Sequence, residues 1–374
     1  MTCAMAWIGR SRLAGSTEWD DDEVPEPEEV VEAAAKRQAL YDAGVPFFTK
    51  EIFQDLSRQF KMTPAERKGK FSVPGLDGRI VEFQDGTGTT PISHVDEDGN
   101  AVEFRDWSNP LSEGLEYVMH RPQTFYMSMQ KIDNFASDKS QLLYCNLMVI
   151  FSLAVRSKLT KEVIPMAVAP LEEVQECFRA SSLAWEASEP CRELRSILAS
   201  AQIPSGVSKI VAFACGTLSA GWEDSRRATQ HAALLTIRDA LQKNPENPDD
   251  IKCYAQDPVY NDADKAVIEG AGISVLDDPC GFTEVDDSSI VLSISPNIPV
   301  RQIISDIARP AVVILDQIRE EPPPDGGDTD PLTRRHVRWL RDFYKEFQFS
   351  HDVENFGGIS IFVRRVDPPP NLAN

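Results

Sequence analysis

The sequence has no apolar run long enough to cross a membrane. A spanning helix needs about 18 consecutive apolar residues, and no stretch of the 374 residues reaches that length. The first 15 residues contain two arginines but no sustained apolar segment, so we expect no signal peptide. Together these absences predict a cytoplasmic protein with no membrane partner.

The sequence also lacks the usual patterns of disulfide, zinc and nucleotide sites. Its seven cysteines are scattered, odd in number and never spaced as CxxC, which favours reduced thiols. No histidine lies near the candidate acidic residues in sequence, so we predict no metal. The turn at Cys215–Ser219 does not have the GxGxxG pattern, which argues against a nucleotide cofactor. We therefore predict no cofactor.

Positive charge is in deficit. The net charge is -21, which opposes a general affinity for nucleic acid and predicts no DNA partner. The segment 18–32 carries nine acids and no base. Because such a segment cannot bury apolar surface, we predict an acidic disordered tail over residues 1–30 and a loose tail over 367–374.

What is present is a repeated pattern of short apolar runs that stop at polar or turn-forming residues. Such runs start at Lys209, Ile251, Ile273, Ser289 and Ala311. Helix-forming segments separate most of them, which is typical of buried parallel strands joined by helices. We predict a three-layer, Rossmann-like α/β domain over residues 110–366 with a mostly parallel sheet. Within it, residues 125–158 are predicted to be mostly helical, and residues 331–347 form a helix with a basic first half.

The N-terminal region has a different pattern. Two helices are predicted at 32–41 and 50–60, followed by three Asp-Gly pairs at positions 77, 85 and 98. Asp-Gly between alternating runs indicates β-hairpins. We therefore predict a small helix and hairpin region over residues 31–109.

Several polar residues follow the predicted strands, where an open α/β sheet binds its ligands. We expect one crevice to be lined by Ser219, Asp257, Tyr260, Asp277, Asp278 and Asn297. Gly216 permits a close backbone approach there. Thr217 or Ser219 is a candidate acyl acceptor if a base is near, and the alternative is that Ser219 or Ser225 caps the next helix.

The remaining candidates each have two interpretations. His231 is either a general base or a structural residue. Asp257 with Tyr260 binds a ribose hydroxyl, or Asp257 only makes a turn. Asn297 is a candidate donor to a carbonyl. Arg301 contacts a phosphate or sits in the first turn of its helix.

The pair Asp277 and Asp278 is the most informative. Two adjacent acids at a strand end would be satisfied by a guanidinium or amino group through charge-assisted hydrogen bonds. The alternative is a solvated turn. The arginines of the helix at 334–341 either line a face that meets an RNA backbone or form a solvated face.

The segment Trp185–Asp316 resembles the sensitivity-to-red-light-reduced-like domain family. The resemblance rests on Trp185, Ser188 and Cys191, the run from Lys209 to Phe213 with Gly216, Gln230-His231-Ala, Asp257-Pro-Val-Tyr260 and Ser295-Pro-Asn297. The longer, fungal-type version is closer still, through residues 255–260, 276–279, 281–282 and 295–302.

Fungal members of this family include the arginine-containing cyclodipeptide synthases. The resemblance implies an enzyme that joins arginine to a second amino acid as a diketopiperazine, with arginyl-tRNA and a second charged tRNA as partners. The implied catalytic residues are Ser219, His231, Asp277, Asp278 and Asn297. The implied substrate-binding residues are Gly216, Thr217, Asp257, Tyr260, Glu284 and Arg301.

This sequence departs from the pattern of the synthases at one motif. Their Asp-Asp-x-x-Glu string is absent, and Asp277-Asp278 with Glu284 is the nearest match. Other family members are regulatory proteins. The alternative function is therefore a regulatory or small-ligand-binding module without turnover.

Overall fold

The computed structural model describes most of the chain. The described residues are 24–95, 101–103, 111–136, 140–165, 168–220, 225–244, 247–248, 250–318, 329–349, 352 and 354–366. Residues 1–23 and 367–374, which hold most of the two predicted tails, lie outside them. Helix α1 (Pro27–Asp42) begins inside the segment predicted to be disordered, with Glu28 and Glu29 in its first turn, where acids favour a helix.

The chain divides into two compact units. One consists of Met1–Arg37 and Asp55–Ala167, and the other of Gln38–Gln54 and Val168–Asn374. This division differs from the predicted boundary after residue 109. Helix α1 and helix α2 (Lys50–Lys61) each cross a limit between the units.

The first unit is mainly antiparallel. It contains β1 (Lys70–Pro74), β2 (Ile80–Gln84), β3 (Ile92–Val95), β4 (Ala101–Glu103), β5 (Leu115–Tyr126), α3 (Met129–Ala136), β6 (Leu147–Ser157) and β7 (Val163–Ile164). The predicted hairpin at Asp77-Gly78 joins β1 to β2, and β3 pairs with β4 around a tip that lies outside the described residues. Asp85-Gly86 closes no hairpin, because β2 pairs with β1 and β3 with β4.

The helical prediction for residues 125–158 is wrong over most of its length. Residues 147–157 form β6, which pairs antiparallel with β5. Among the described residues of this stretch, only α3 and a short 3₁₀ turn at Ser140–Leu142 are helical. A continuous apolar run does not distinguish a buried strand from a buried helix, and the branched residues Val149, Ile150 and Val155 favour the strand.

The second unit is a mixed α/β structure. Its elements after α2 are α4 (Leu171–Ala187), α5 (Glu189–Ser200), β8 (Lys209–Phe213), α6 (Arg226–Leu241), β9 (Lys252–Gln256), α7 (Asp262–Gly270), β10 (Ser274–Val275), α8 (Cys280–Glu284), β11 (Ser289–Ser293), α9 (Val300–Ile307), β12 (Val312–Asp316), α10 (Arg334–Phe343), β13 (Tyr344–Gln348) and β14 (Ile359–Arg364).

Seven strands of this unit form one sheet in the order β10-β9-β8-β11-β12-β14-β13. The first five are parallel, and β14 pairs antiparallel with both β12 and β13, so the predicted mostly parallel sheet is confirmed. β8, β11 and β12 are almost wholly buried, as strands covered on both faces are. The helix predicted over 331–347 is shorter, because the chain becomes strand β13 at Tyr344.

Candidate functional site

The strand order reverses between β8 and β11. From β8 the chain moves outward to β9 and β10, then returns to β11 on the other side of β8 and moves outward to β12. The loops that follow the two adjacent parallel strands lead away in opposite directions at such a reversal. The crevice that results is where open α/β sheets bind ligands. We call it the switch-point crevice, flanked by residues 214–219 after β8 and residues 294–297 after β11.

Both loops that flank the switch-point crevice have a residue in the left-handed region of backbone space. Ala214 has φ +57° and Ser295 has φ +46°. For residues other than glycine this conformation costs on the order of 1–3 kcal/mol and is concentrated at ligand-binding and active sites. The backbone geometry on both sides of the reversal therefore indicates a binding site.

Each of these loops is held by a carboxylate at the end of the neighbouring strand away from the crevice. That strand is β9 for the loop after β8 and β12 for the loop after β11. On one side, Asp257 Oδ2 accepts a hydrogen bond of 2.8 Å from the Gly216 N–H. On the other, Asp316 accepts from the N–H of Ser295 at 3.0 Å and from its hydroxyl at 3.2 Å. Burial raises the pKa of the Asp257 carboxyl, although Gly216 and Arg227 act in the opposite direction. A carboxyl group therefore lies on each side of the crevice, and that of Asp316 is also 3.8 Å from the Arg301 guanidinium.

A third carboxylate, Asp264, was not singled out from the sequence. Its side chain is fully buried in the first turn of α7. It accepts from the Thr217 hydroxyl at 2.6 Å, from the Ser219 N–H at 2.9 Å and hydroxyl at 2.8 Å, and from the Asn261 N–H at 3.0 Å. Asp264 therefore ties the loop after β8 to the start of α7. An asparagine followed three residues later by an acid is a capping signal, but the contacts to Thr217 and Ser219 are tertiary.

The hydroxyl of Ser219 lies between polar partners. It donates to Asp264 and accepts from Asn261 Nδ2 at 3.1 Å. Ser225 occupies the N-cap position of α6 without a side-chain capping bond. The side chain of Ser219 therefore joins the β8 loop to α7 rather than capping the next helix.

His231 forms a buried pair with Tyr260. Its Nδ1 donates to the Arg227 carbonyl at 2.7 Å, so its Nε2 accepts from the Tyr260 hydroxyl at 2.8 Å. Burial lowers the pKa of His231 and raises that of Tyr260, so both are neutral near pH 7. Both ring nitrogens of His231 are occupied, and neither bond is to Ser219.

Arg227 lies against Gly216. A β-carbon built on Gly216 would be 2.6 Å from Arg227 Nε and 2.7 Å from its Cδ. Glycine is needed at this position both for its φ of +75° and to admit the arginine side chain. Sequence reasoning explained Gly216 by close backbone approach but did not identify the side chain that approaches it.

Of the other predicted residues of the carboxyl edge, Asp277 and Asp278 lie further out, whereas Asn297 is in the loop that flanks the crevice. Asp278 accepts from Gln256 Nε2 at 3.0 Å beside the outer strand β10. The side chain of Asp277 is 81% exposed, and Lys265 Nζ lies 3.9 Å from it. Asn297 follows β11 and is exposed.

Two predicted substrate-binding residues lie elsewhere. The carboxylate of Glu284 is 3.7 Å from Lys209 Nζ, at the amino end of β8 and so at the opposite edge of the sheet. Arg301 is buried, and its guanidinium donates to the carbonyls of Asp330 at 2.8 Å and Asp316 at 3.1 Å. Arg301 therefore anchors α9 to the end of β12.

In the part of the chain that the structure describes, no helix is long and apolar enough to cross a membrane. No group of three or more histidine, cysteine, aspartate or glutamate side chains there is arranged to hold a metal ion.

Comparison with known protein families identifies one segment of the chain. Residues 186–325 match the SRR1 domain. The predicted resemblance to the sensitivity-to-red-light-reduced-like family is thereby confirmed for this segment, which includes the switch-point crevice. A search of curated proteins finds no match to the chain.

Residues that carried the resemblance at the start of the SRR1 segment hold helices together. The Trp185 indole N–H donates to the Thr236 hydroxyl of α6 at 2.9 Å. Ser188 caps α5 by accepting from the Cys191 N–H at 3.1 Å. These two residues are therefore accounted for by packing of α4 and α5 on α6, which leaves the switch-point crevice as the candidate site.

Proposed function

We propose that the switch-point crevice binds a small ligand bearing an amino or guanidinium group, and that the SRR1 segment acts as a ligand-binding module. One observation carries the proposal: Asp257 and Asp316 flank the strand reversal from both sides, each bound to the adjacent loop. A cationic group in the crevice would form charge-assisted hydrogen bonds with a carboxylate at its side, and such bonds are stronger than neutral ones.

The arrangement of the predicted catalytic groups also supports binding without turnover. Ser219 is engaged with Asp264, and His231 is buried against Tyr260. A hydroxyl nucleophile needs a base that can take up its proton. Asp264, which accepts from the Ser219 hydroxyl, receives four hydrogen bonds in all, so its oxygens are engaged in holding the loop after β8 to α7. We propose further that the sheet and its helices form a three-layer, Rossmann-like fold and that the protein works in the cytoplasm.

The test is a panel of ligands scored by the shift in the protein's melting temperature. Butylguanidine and butylamine, which are cations, and the uncharged molecules butylurea and butanol separate a charge effect from a size effect. We expect the cations to stabilise the protein and the uncharged molecules to have at least tenfold weaker effects. If butylurea stabilises as well as butylguanidine does, the proposal of a cation site is wrong.

Two matched substitutions locate the effect. Asp316→Asn removes one flanking charge but keeps an acceptor for the Ser295 N–H, and we expect it to weaken arginine binding about tenfold. Glu284→Gln removes a charge at the opposite edge of the sheet and should leave binding unchanged. If the two variants lose equal affinity for arginine, only the overall negative charge of the protein attracts the ligand.

A second candidate is the aminoacyl-tRNA-dependent cyclodipeptide synthesis that the fungal-type resemblance implies. The observation in its favour is the 2.8 Å hydrogen bond from the Ser219 hydroxyl to the Asp264 carboxylate, because Ser219 would then be the acyl acceptor. The acids at the carboxyl edge would hold the arginine side chain, and Asn297 would polarise the ester carbonyl. The exposed residues Arg334, Arg338 and Arg341 on α10 would meet the tRNA backbone.

A product assay tests this second candidate. The protein is incubated with arginine, the other amino acids, ATP, tRNA and synthetases, with and without RNase, and products are identified by mass spectrometry. The candidate predicts an RNase-sensitive diketopiperazine that contains arginine. It also predicts loss of product in Ser219→Ala but not in Ser225→Ala. An active charging system that yields no product with the wild-type protein would contradict it.

A further inference from the structure

The exposed face of α1 carries a shallow groove beside two acidic side chains. The groove has a volume of about 410 Å³ and is lined by Pro27, Glu28, Val31, Glu32 and Ala35. Val31 is 70% exposed. Glu28 and Glu32 are exposed too, and neither carboxylate pairs with another side chain in the part of the chain that the structure describes. The groove therefore offers apolar surface and two free carboxylates to a partner.

The spacing of the two glutamates restricts the group that this groove accepts. Glu28 and Glu32 are one helical turn apart, and like charges at this spacing repel each other. A cation beside the groove is attracted to both. An arginine side chain fits the rest of the surface, because its aliphatic stem packs on groups such as Val31 and its guanidinium presents a planar fork to carboxylates.

The helix α10 presents arginines of this kind. Arg334, Arg338 and Arg341 occupy positions i, i+4 and i+7, so they share one face, and all three are exposed. None of them pairs with another side chain among the described residues. Arg335, which leaves the helix in another direction, pairs with Asp306 at 2.6 Å. This arginine face is therefore a cationic surface without a partner, on a chain whose net charge is -21.

We propose that the groove on α1 of one copy of the protein receives the arginine face of α10 of a second copy. In this contact the Arg338 side chain lies in the groove beside Glu28 and Glu32. The match is one of spacing as well as of sign, because the two glutamates are four residues apart and so are Arg334 and Arg338. Two ion pairs therefore form side by side. The contact uses neither loop of the switch-point crevice, so it is independent of the proposed ligand site.

Salt concentration separates this contact from the general repulsion between two acidic chains. At about 0.15 M ionic strength, charges more than about 8 Å apart are largely screened, whereas ion pairs in direct contact persist. Two helix faces bury less area than a standard interface of about 1,600 Å². We therefore expect weak self-association, with a dissociation constant of roughly 10–100 µM at 0.15 M salt, that is lost near 1 M salt.

RNA is the other polyanion that an arginine face could meet. The net charge of -21 opposes its approach, and RNA would leave the groove on α1 without an occupant. The observations on both helices therefore favour a second copy of the chain.

The experiment is sedimentation equilibrium of the full chain at about 0.15 M and about 1 M sodium chloride. Wild type should self-associate only at the lower concentration of salt. Arg338→Glu should weaken the association at least about tenfold, because it places like charges opposite each other. Adding Glu32→Arg to Arg338→Glu exchanges the two charges of the pair and should restore the affinity to within about threefold of wild type.

A matched double variant controls for net charge. Glu32→Arg combined with Arg226→Glu has the same net charge as wild type, but Arg226 is exposed on α6 and away from the arginine face. This variant should remain as weak as Glu32→Arg alone. Arg334→Glu is a second disruptive variant and should also weaken the association. Circular dichroism shows whether each variant folds.

Three outcomes would overturn the proposal. The first is wild-type protein that stays monomeric at 0.15 M salt up to a concentration of about 0.5 mM. The second is a charge-exchanged variant that associates no better than Arg338→Glu alone. The third is single-stranded RNA that binds monomeric wild type and loses affinity in Arg338→Glu, which would assign the arginine face to RNA.

Discussion

At the scale of single residues, Asp264 is the side chain on which the site most depends. Its carboxylate accepts hydrogen bonds from Thr217, Ser219 and Asn261 and is shielded from water. Removing it would leave several of these donors buried without an acceptor. Each unsatisfied buried group costs about 1–3 kcal/mol.

We therefore predict that Asp264→Ala lowers the free energy of unfolding by roughly 3–5 kcal/mol, because several donors lose their acceptor together. Asp264→Asn keeps one acceptor oxygen and should lose less. Asp262→Ala, two residues earlier and exposed, is the control and should change stability by less than about 1 kcal/mol. Urea unfolding of the three variants measures the differences. A loss in Asp264→Ala no larger than in the control would contradict the account of this network.

Asp306 is a second buried carboxyl, and burial changes its pKa. It accepts from the Phe47 and Phe48 N–H groups at 2.8 and 3.1 Å and pairs with Arg335 at 2.6 Å, with no exposed side-chain area. Burial nevertheless raises its pKa from 3.8 to about 6. The folded protein therefore holds this proton more tightly than the unfolded chain does.

The sign of the resulting pH dependence follows by linkage. Between pH 4 and 6 the folded state binds more protons at Asp306 than the unfolded state, so its contribution to stability falls as pH rises. A shift of about two units corresponds to roughly 3 kcal/mol. We predict that the difference in the free energy of unfolding between wild type and Asp306→Asn falls by roughly 3 kcal/mol between pH 4 and 6.5 and is constant above pH 7. A difference in urea unfolding that rises with pH over this range would refute the prediction.

At the scale of secondary-structure elements, α8 packs closely on the sheet through Gly281. A β-carbon there would lie 2.7 Å from Gln256 Oε1 and 2.9 Å from Phe213 Cε1. The next residue, Phe282, stacks on Phe213 with ring centroids 4.3 Å apart. We predict that Gly281→Ala lowers the free energy of unfolding by about 1–3 kcal/mol, the usual cost of overpacking.

Gly270 in α7 is the control for this substitution. A β-carbon at Gly270 would meet nothing within 4 Å, and Ala is a better helix former. We expect Gly270→Ala to be neutral or to stabilise the protein by up to about 1 kcal/mol in urea unfolding. If the two variants lose equal stability, close packing at Gly281 is not the cause.

The sequence predicted the parallel strands well and two other elements poorly. Strands β8 to β12 were predictable because each belongs to a short apolar run that ends at turn-forming residues, and all of them except β10 are largely buried. The apolar run of β6 has no turn signal inside it, so its periodicity did not separate strand from helix. The break between α10 and β13 at Tyr344 has no glycine or proline to mark it.

The candidate site was predicted only in part, because the sequence locates residues that follow strands but not residues that tertiary packing brings to them. Residues that follow a strand, such as Gly216 and Asp257, were located by the rule for carboxyl ends. Asp264 and Arg227 lie on helices, and only tertiary packing brings them to the β8 loop. Glu284 was grouped with the acids because it is near them in sequence, although it faces the opposite edge of the sheet.

At the scale of the whole molecule, we propose that the switch-point crevice of the SRR1 segment is a binding site for a cationic ligand. The strand reversal, the left-handed residues Ala214 and Ser295 and the flanking carboxylates all occur at the same edge of the sheet. A general attraction of cations to a chain of net charge -21 would not be confined to that edge.

The measurement that tests this claim most directly is amide hydrogen exchange of the full chain with and without saturating arginine, resolved by peptide. The account predicts slower exchange in peptides covering residues 214–219 and 294–297. It predicts no change at residues 284–288, at the opposite edge of the sheet. Protection that is absent from both crevice loops, or that appears equally at residues 284–288, would contradict it.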